Sequence, residues 1–393
     1  MRKISLTLLG MYLGILSAFS QGADTANYKS RKLQLDEVNF VSSYYHQDGN
    51  NSAVTGGIGT EKLSDFANTF ELKLSKYDRK ARKHSYGLEL GIDHYTSASS
   101  DKIDPSTITS ASYSDTRIYP TLSWTLQNEK KKSSIGLAAS YSQEFDYTSV
   151  GFGASYTKAS KDNNREFGLK FQSYFDQWHI IYPIELRGYN EDKNENPNRN
   201  SFSLSLSLAQ VINQRLQLSV IAEPVYQTGL LATKYQRVYF KDGSLNSETL
   251  PDTRVKFPIG IRANYFLGDK IILRSFYRFY ADGWGVKAHT AELETPVKLT
   301  PFVSISPYYR FYSQSAADYF APYQLHNFSD QYFTSDYDLS KFNSHFFGTG
   351  IRFAPPRGVL GIQHVNTLEL RYGHYSRSTD LQANIISLQI KLK

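Results

Sequence analysis

A period of two in hydrophobicity runs along this chain and limits what it can fold into more than any other feature. Phe202, Leu204, Leu206 and Leu208 alternate with Ser201, Ser203, Ser205 and Ser207. Val255, Phe257, Ile259, Ile261, Ala263 and Tyr265 alternate with Arg254, Lys256, Pro258, Gly260, Arg262 and Asn264. Near the end, Ile386, Leu388, Ile390 and Leu392 alternate with Ser387, Gln389 and Lys391. Successive side chains of a strand point to opposite faces, so each stretch carries one apolar and one polar face. The pattern marks sixteen candidate strands, near 36–47, 66–79, 84–97, 111–127, 133–145, 147–158, 165–189, 201–212, 214–229, 252–266, 271–282, 285–297, 302–314, 344–355, 365–377 and 382–393. Several match or exceed the roughly 9–11 residues a tilted strand needs to cross a bilayer. The segment 165–189 is read as one strand, because two would upset the spacing of the loops.

The chain of 393 residues is 40% hydrophobic and 15% aromatic, with 30 Tyr, 24 Phe and 3 Trp. A helical membrane bundle needs repeated apolar runs of roughly 20 residues, and the alternation supplies none. The aromatic content argues against disorder. Cysteine is absent, which excludes disulfides, thiolate metal sites and thiol catalysis. The formal charge of +7 falls to +5 without Arg2 and Lys3, and no basic cluster interleaved with aromatics suggests nucleic acid.

Arg2 and Lys3 precede an apolar run, Ile4 to Phe19, and Ala18-Phe19-Ser20 supplies small residues for cleavage before Gln21. Residues 1–20 therefore read as a signal peptide, 21–35 as a periplasmic segment and 36–393 as the barrel. Connections near 80–83, 128–132, 159–164, 213, 267–270, 298–301 and 356–364 are mostly short. The alternate set contains the long segments 48–65, 98–110, 190–200, 230–251 and 315–343. Short turns on one side and long loops on the other suit an outer-membrane barrel. An apolar sheet face covered by no helix must meet another sheet or lipid, and lipid admits no open edge. Tyr44, Tyr45, Tyr156, Tyr265, Tyr277, Tyr280, Tyr309 and Tyr372 fall where an interfacial belt would place them. The expected fold is all-β, a transmembrane antiparallel up-and-down β-barrel of about 16 strands, between roughly 14 and 18.

Two regions, 35–63 and 110–117, carry a family resemblance. Leu35-Asp36-Glu37-Val38-Asn39-Phe40, Ser43-Tyr44-Tyr45-His46-Gln47-Asp48-Gly49-Asn50 and Val54-Thr55-Gly56-Gly57-Ile58-Gly59-Thr60-Glu61-Lys62-Leu63 resemble the opening of a bacterial outer-membrane family. That family is known as domain-of-unknown-function 3570 and is frequent in Bacteroidota. Ser110-Ala111-Ser112 with Asp115-Thr116-Arg117 resembles its second signature. The resemblance implies a full-length outer-membrane barrel and no particular activity. The ending Ile390-Lys391-Leu392-Lys393 departs from the aromatic terminus common in such barrels.

His46, Asp48, Asn50 and Glu61 form the most distinctive cluster, with Gly56, Gly57 and Gly59 between them. Tight loop packing accounts for the glycines, and a cation or ligand is the rival reading. Arg117, Lys170, Arg254, Lys256, Arg262, Arg274, Arg278, Arg310, Arg352 and Arg371 share the polar faces of their strands with Glu71, Glu89, Asp93, Glu223 and Glu369. This excess of cations would favour anions in a wide bore, whereas mutual pairing would rigidify the wall. The acidic, aromatic segment 315–343 is a candidate plug or surface lid. The nine His are scattered, and no spacing identifies a catalytic set. The expected function is a pore or channel for small, anionic solutes, not an enzyme. A plugged structural, adhesion or assembly barrel acting through its loops is the alternative, and a barrel-embedded hydrolase is a third. Expected partners are outer-membrane lipid, the insertion machinery and a small-molecule solute, with no cofactor and no nucleic acid.

Overall fold

In the computed structural model, residues 32–96, 114–180, 182–183, 185–186 and 197–393 are described. The signal peptide, most of the periplasmic segment and loop 98–110 lie outside them. The strands are β1 (Gln34–Asp48), β2 (Leu63–Tyr77), β3 (Lys83–Thr96), β4 (Ser114–Asn128), β5 (Ser133–Gln143), β6 (Tyr147–Ala159), β7 (Arg165–Trp178), β8 (Asn198–Asn213), β9 (Leu216–Ala222), β10 (Val225–Gly229), β11 (Arg237–Tyr239), β12 (Leu245–Ser247), β13 (Thr253–Lys256), β14 (Ile259–Leu267), β15 (Ile271–Ala281), β16 (Lys287–Glu294), β17 (Val297–Lys298), β18 (Val303–Gln314), β19 (Phe342–Phe353), β20 (Val365–Arg377) and β21 (Gln382–Leu392).

Each stave of the sheet pairs antiparallel with the staves before and after it in the chain, and β1 pairs with β21 from Val38↔Leu392 to Asp48↔Gln382. The sheet is therefore a closed barrel of sixteen staves, as the alternation predicted. Three staves are split in two, β9 from β10, β13 from β14 and β16 from β17. Pro224, Pro258 and Pro296 stand at the breaks, where a missing N–H interrupts the ladder. The proline carbonyls still accept from Leu204, Glu223 and Ile272, so the wall stays sealed. The short strands β11 and β12 form a separate hairpin in the loop after β10. One expectation needs correction: β7 ends at Trp178, not at residue 189.

The apolar face points outward. Leu122 is 62% exposed, and Phe152, Phe347 and Leu370 are exposed beside their own strands' buried or half-buried neighbours. Such a surface is stable only against acyl chains, and closure leaves no edge unpaired within them. Tyr44, Tyr156, Tyr265, Tyr277, Tyr309 and Tyr372 join this outer face. Tyr45 and Tyr280 do not: their strand parity turns them inward, where their hydroxyls donate to Gln47 and Asp282. The clusters of fully buried apolar side chains sit in the outer loops, one of Val238, Phe240 and Phe333, the other of Trp284, Val286 and Ala317.

Replacing Leu122 at mid-strand with Arg should cost roughly 2–4 kcal/mol of folding stability in vesicles. The adjacent inward change Ser123→Arg should cost much less. Urea unfolding of both variants in phosphatidylcholine vesicles checks this, and the opposite ranking would reverse the assignment of faces.

Candidate functional site: the bore and its roof

Sixteen staves at the usual spacing and tilt enclose a bore roughly 30 Å across between backbones. Its wall has two unlike halves. Over the middle of β4 to β8 the inward positions are mostly small and uncharged, with Lys170 among them, while Arg117, Asp176 and Arg199 stand nearer the outer end. Cross-strand registers align Ser123, Ala138, Gly153, Gln172 and Ser203 in one row, and Thr125, Gly136, Ser155, Lys170 and Ser205 in another. Here a cavity of about 320 Å³ runs along the wall.

The other half, β13 to β21, is charged and aromatic. One row reads Arg262, Phe276, Glu292, Arg310, Phe346 and Tyr375. Arg262 lies 5.3 Å over the Phe276 ring and Arg310 lies 5.0 Å over Phe346. Glycine makes room for these rings, because a Cβ at Gly373 would lie 2.6 Å from Phe346 Cζ. A cavity of about 510 Å³ is bordered by Arg262, Arg274, Phe276, Glu292, Glu294 and Arg371.

Many of the inward cations have carboxylate partners. Arg254 pairs with the buried Asp282 and stacks 4.1 Å over Trp284. Arg274 reaches Glu294 at 3.0 Å, Arg371 bridges Glu294 and Glu369, and Arg310 stands 3.9 Å from Glu292. Arg117 lies 3.6 Å from Glu144 and donates to Ser142. Asp176, which holds Arg199 at 2.7 Å, Asp282, Glu292 and Glu294 are inner-wall anions that the alternation alone did not single out. Among the described residues, Lys170, Lys256, Arg262, Arg278 and Arg352 have no carboxylate within 4.0 Å. The excess of cations is thus smaller than the strand faces suggest, and it is concentrated on these five side chains.

The long loops close over the outer mouth. Arg237, on β11, donates from Nη2 to Glu185 after β7 and from Nη1 to the Val54 carbonyl after β1. Those two loops spring from staves on opposite arcs of the barrel, so one guanidinium ties them together across the opening. Segment 315–341 packs against the same loop, where Phe333 and His326 flank Phe240. Thr249 and Phe333 exchange backbone hydrogen bonds. The segment read as a plug or surface lid is therefore one layer of a roof shared with 230–251.

The His46–Glu61 motif belongs to this roof, and the structure sets its members apart. His46 bonds Ser64 on the outer face, Asp48 reaches Lys62 at 4.0 Å, and Asn50 is exposed. Gly56 takes φ 83° to end a short 3₁₀ turn at Ala53–Thr55. A Cβ on Gly57 would strike the Ser335 carbonyl at 2.6 Å, and φ there is 84°. Gly59 bridges to Asn51. Glu61 lies under the loops, where burial and the neighbouring Asp338 and Asp336 push its carboxyl up to about 7 against the pull of Arg377. Glu248 is buried as well, accepting from Thr334 Oγ1 at 2.5 Å and from the Thr233 N–H, and burial beside Asp336 raises it to about 7. Burial and Asp338 raise Asp336 to about 6. At the rim, Asp115, Glu144 and Asp146 bring carboxylate oxygens within 4.8 Å of one another, and burial with the other two lifts Asp146 to about 6. The Tyr95 hydroxyl and Arg117 already engage Glu144.

A family model described as a protein of unknown function (DUF3570) matches residues 91–378. The chain belongs to this family. Among solved structures, the chain is similar to OccAB1 from Acinetobacter baumannii, at 10% identity over 94% of this chain and 98% of that one, TM-score 0.46. It is also similar to OccK9 (OpdG) from Pseudomonas aeruginosa, at 10% identity over 92% and 98%, TM-score 0.44. A BenF-like porin from Pseudomonas fluorescens Pf-5 matches at 8% identity over 93% and 100%, TM-score 0.41. No curated protein matches the chain.

The buried acids give the roof a pH dependence. Carboxyls raised in the folded state favour the protonated form, so their stabilising effect is complete below about pH 4 and is lost as pH climbs through 6 to 7. Hydrogen exchange of 230–251 and 315–341, corrected for intrinsic rates, should show stronger protection at acidic pH than at alkaline pH. Equal protection, or a roof that tightens on raising pH, would contradict this.

Proposed function

We propose that this protein is an outer-membrane channel for small solutes, roofed by its own loops and preferring anions. The observation that carries the reading is the continuous polar lining of the bore. Its cavities of about 510, 410 and 320 Å³ all open on inward side chains, and Arg262 stacks on Phe276 without a carboxylate partner. A half lined mostly by small, hydroxyl-bearing side chains leaves room for water. The charged half supplies a field whose unpaired members are cationic, which enriches anions and repels cations. The Arg237 tie across the mouth supports a gate on the outer side.

A second reading has the loops themselves as the working part, as a recognition or adhesion surface. The feature favouring it is the Phe328 side chain, 76% exposed on the roof beside Phe240.

Planar-bilayer recording tests the channel reading. Stepwise conductance is expected, with a reversal potential in a KCl gradient displaced toward chloride. Arg262→Ala should lower the anion-to-cation permeability ratio by about twofold. Arg237→Ala should lengthen open times by loosening the roof. A silent bilayer for both native protein and R237A would favour the loop surface, and a cation-selective current would remove the anion preference.

A further inference from the structure

Five of the nine histidines converge on one band of the outer surface. His46 and His94 lie two residues before the loop-side ends of β1 and β3, and His374 lies three before that of β20. His289 and His345 lie two and three residues after the loop-side starts of β16 and β19. Strand parity places all five on the apolar face, in line with Tyr44, Ile92, Leu293, Phe347 and Tyr372. Around the barrel they occupy the arc from β16 through the β21–β1 seam to β3.

Four of the rings turn Nδ1 to a hydroxyl, whereas His374 Nδ1 donates to the Asn384 side-chain carbonyl oxygen. In each ring Nδ1 meets a polar group on its own or a neighbouring strand: Ser64 for His46, Thr116 for His94, Tyr277 for His289, Tyr309 for His345 and Asn384 for His374, all at 2.7–3.0 Å. Where the Tyr277 and Tyr309 hydroxyls donate to Nδ1, the ring proton is held on Nε2. Among the described residues, no partner is recorded for Nε2 of these five rings. Phe279 lies 5.3 Å from the His289 ring and Phe311 lies 5.4 Å from the His345 ring, steadying each imidazole against the wall.

We propose that this band is a binding surface for the phosphate groups of lipid A in the outer leaflet. The band begins where the acyl-facing surface ends, which is the depth of the headgroups. Phosphate is an acceptor, and the outward Nε2–H of a ring whose Nδ1 accepts from a hydroxyl, as in His289 and His345, is a donor at that depth. An imidazolium would add charge to the bond. Asp115, Glu144 and Asp146 are packed against the rim close by, from β4 and the β5–β6 turn, and they face the mouth. The inference rests on the outer-membrane reading and is independent of conduction.

The test uses the full chain refolded in detergent micelles, with and without added lipid A. Thermal unfolding followed by circular dichroism is expected to shift upward by several degrees with lipid A for the native protein. The shift should be largely lost when His46, His94, His289, His345 and His374 are all replaced by Leu, and retained in the single variant His364→Leu at the opposite end of the barrel. If the fivefold variant does not refold, the paired variant His289→Leu with His345→Leu should lose part of the shift. Lipid A stripped of phosphate should stabilise the native protein less. An equal shift in native and fivefold or paired variants, or an equal effect of the dephosphorylated lipid, would overturn the proposal. Partition into plain phosphatidylcholine vesicles is scored in parallel. Its failure would sink the outer-membrane reading, whereas partition without a lipid A effect would sink this inference alone.

Discussion

Inside hydrocarbon, a backbone N–H or C=O without a partner costs several kcal/mol, and no water is there to relieve it. The pairing of β1 with β21 meets that constraint by leaving the sheet no free edge. Everything else follows from the register it imposes. A slip of one residue anywhere would turn Leu122, Ile261 or Leu370 into the bore and its serines or arginines into lipid. Even the three prolines respect the ladder, since their carbonyls keep accepting where their nitrogens cannot donate.

Closure sets the width of the bore, and side chains divide it. Glycine, alanine, serine and threonine over β4 to β8 keep one half open. The opposite half is filled by rings and by arginines tied to Glu292, Glu294, Glu369 and Asp282. These pairs are part-exposed in the bore and contribute modestly to stability, but they fix where the remaining positive charge stands. The roof is a different kind of structure. It has small apolar cores, buried carboxyls and one guanidinium spanning the mouth, so it can respond to pH.

The alternation made the staves legible, along with their faces, because period two is a direct record of which side each residue takes. It overran at 179–189, where Pro183 and Glu185 belong to a loop that returns over the mouth. It also passed through Pro224, Pro258 and Pro296, since proline interrupts a ladder without changing the sides its neighbours take. The inward arginines could be read from local parity. Their partners could not: Glu292 and Glu294 share a stretch whose opposite face is only Lys287, His289, Ala291 and Leu293, a weakly apolar set. Tyr45 and Tyr280 looked interfacial by position and proved inward by parity. The His46–Glu61 motif was visible as a cluster in sequence, and its backbone closes on itself from Gly49 to Glu61, but its polar side chains turn to different partners. The outer histidines are the reverse, separated by up to hundreds of residues and gathered only by the curvature of the sheet.

The central claim is that alternate residues of each stave face water inside a ring and acyl chains outside it. The chain has no cysteine of its own, so single cysteines introduced at successive positions report each face directly. With the protein in phosphatidylcholine vesicles, a charged, water-soluble maleimide should label cysteines replacing Ser123, Ser140 and Arg262 and spare those replacing Leu122, Leu137 and Ile261. Uniform labelling, or labelling of the second set in preference to the first, would contradict the barrel as described.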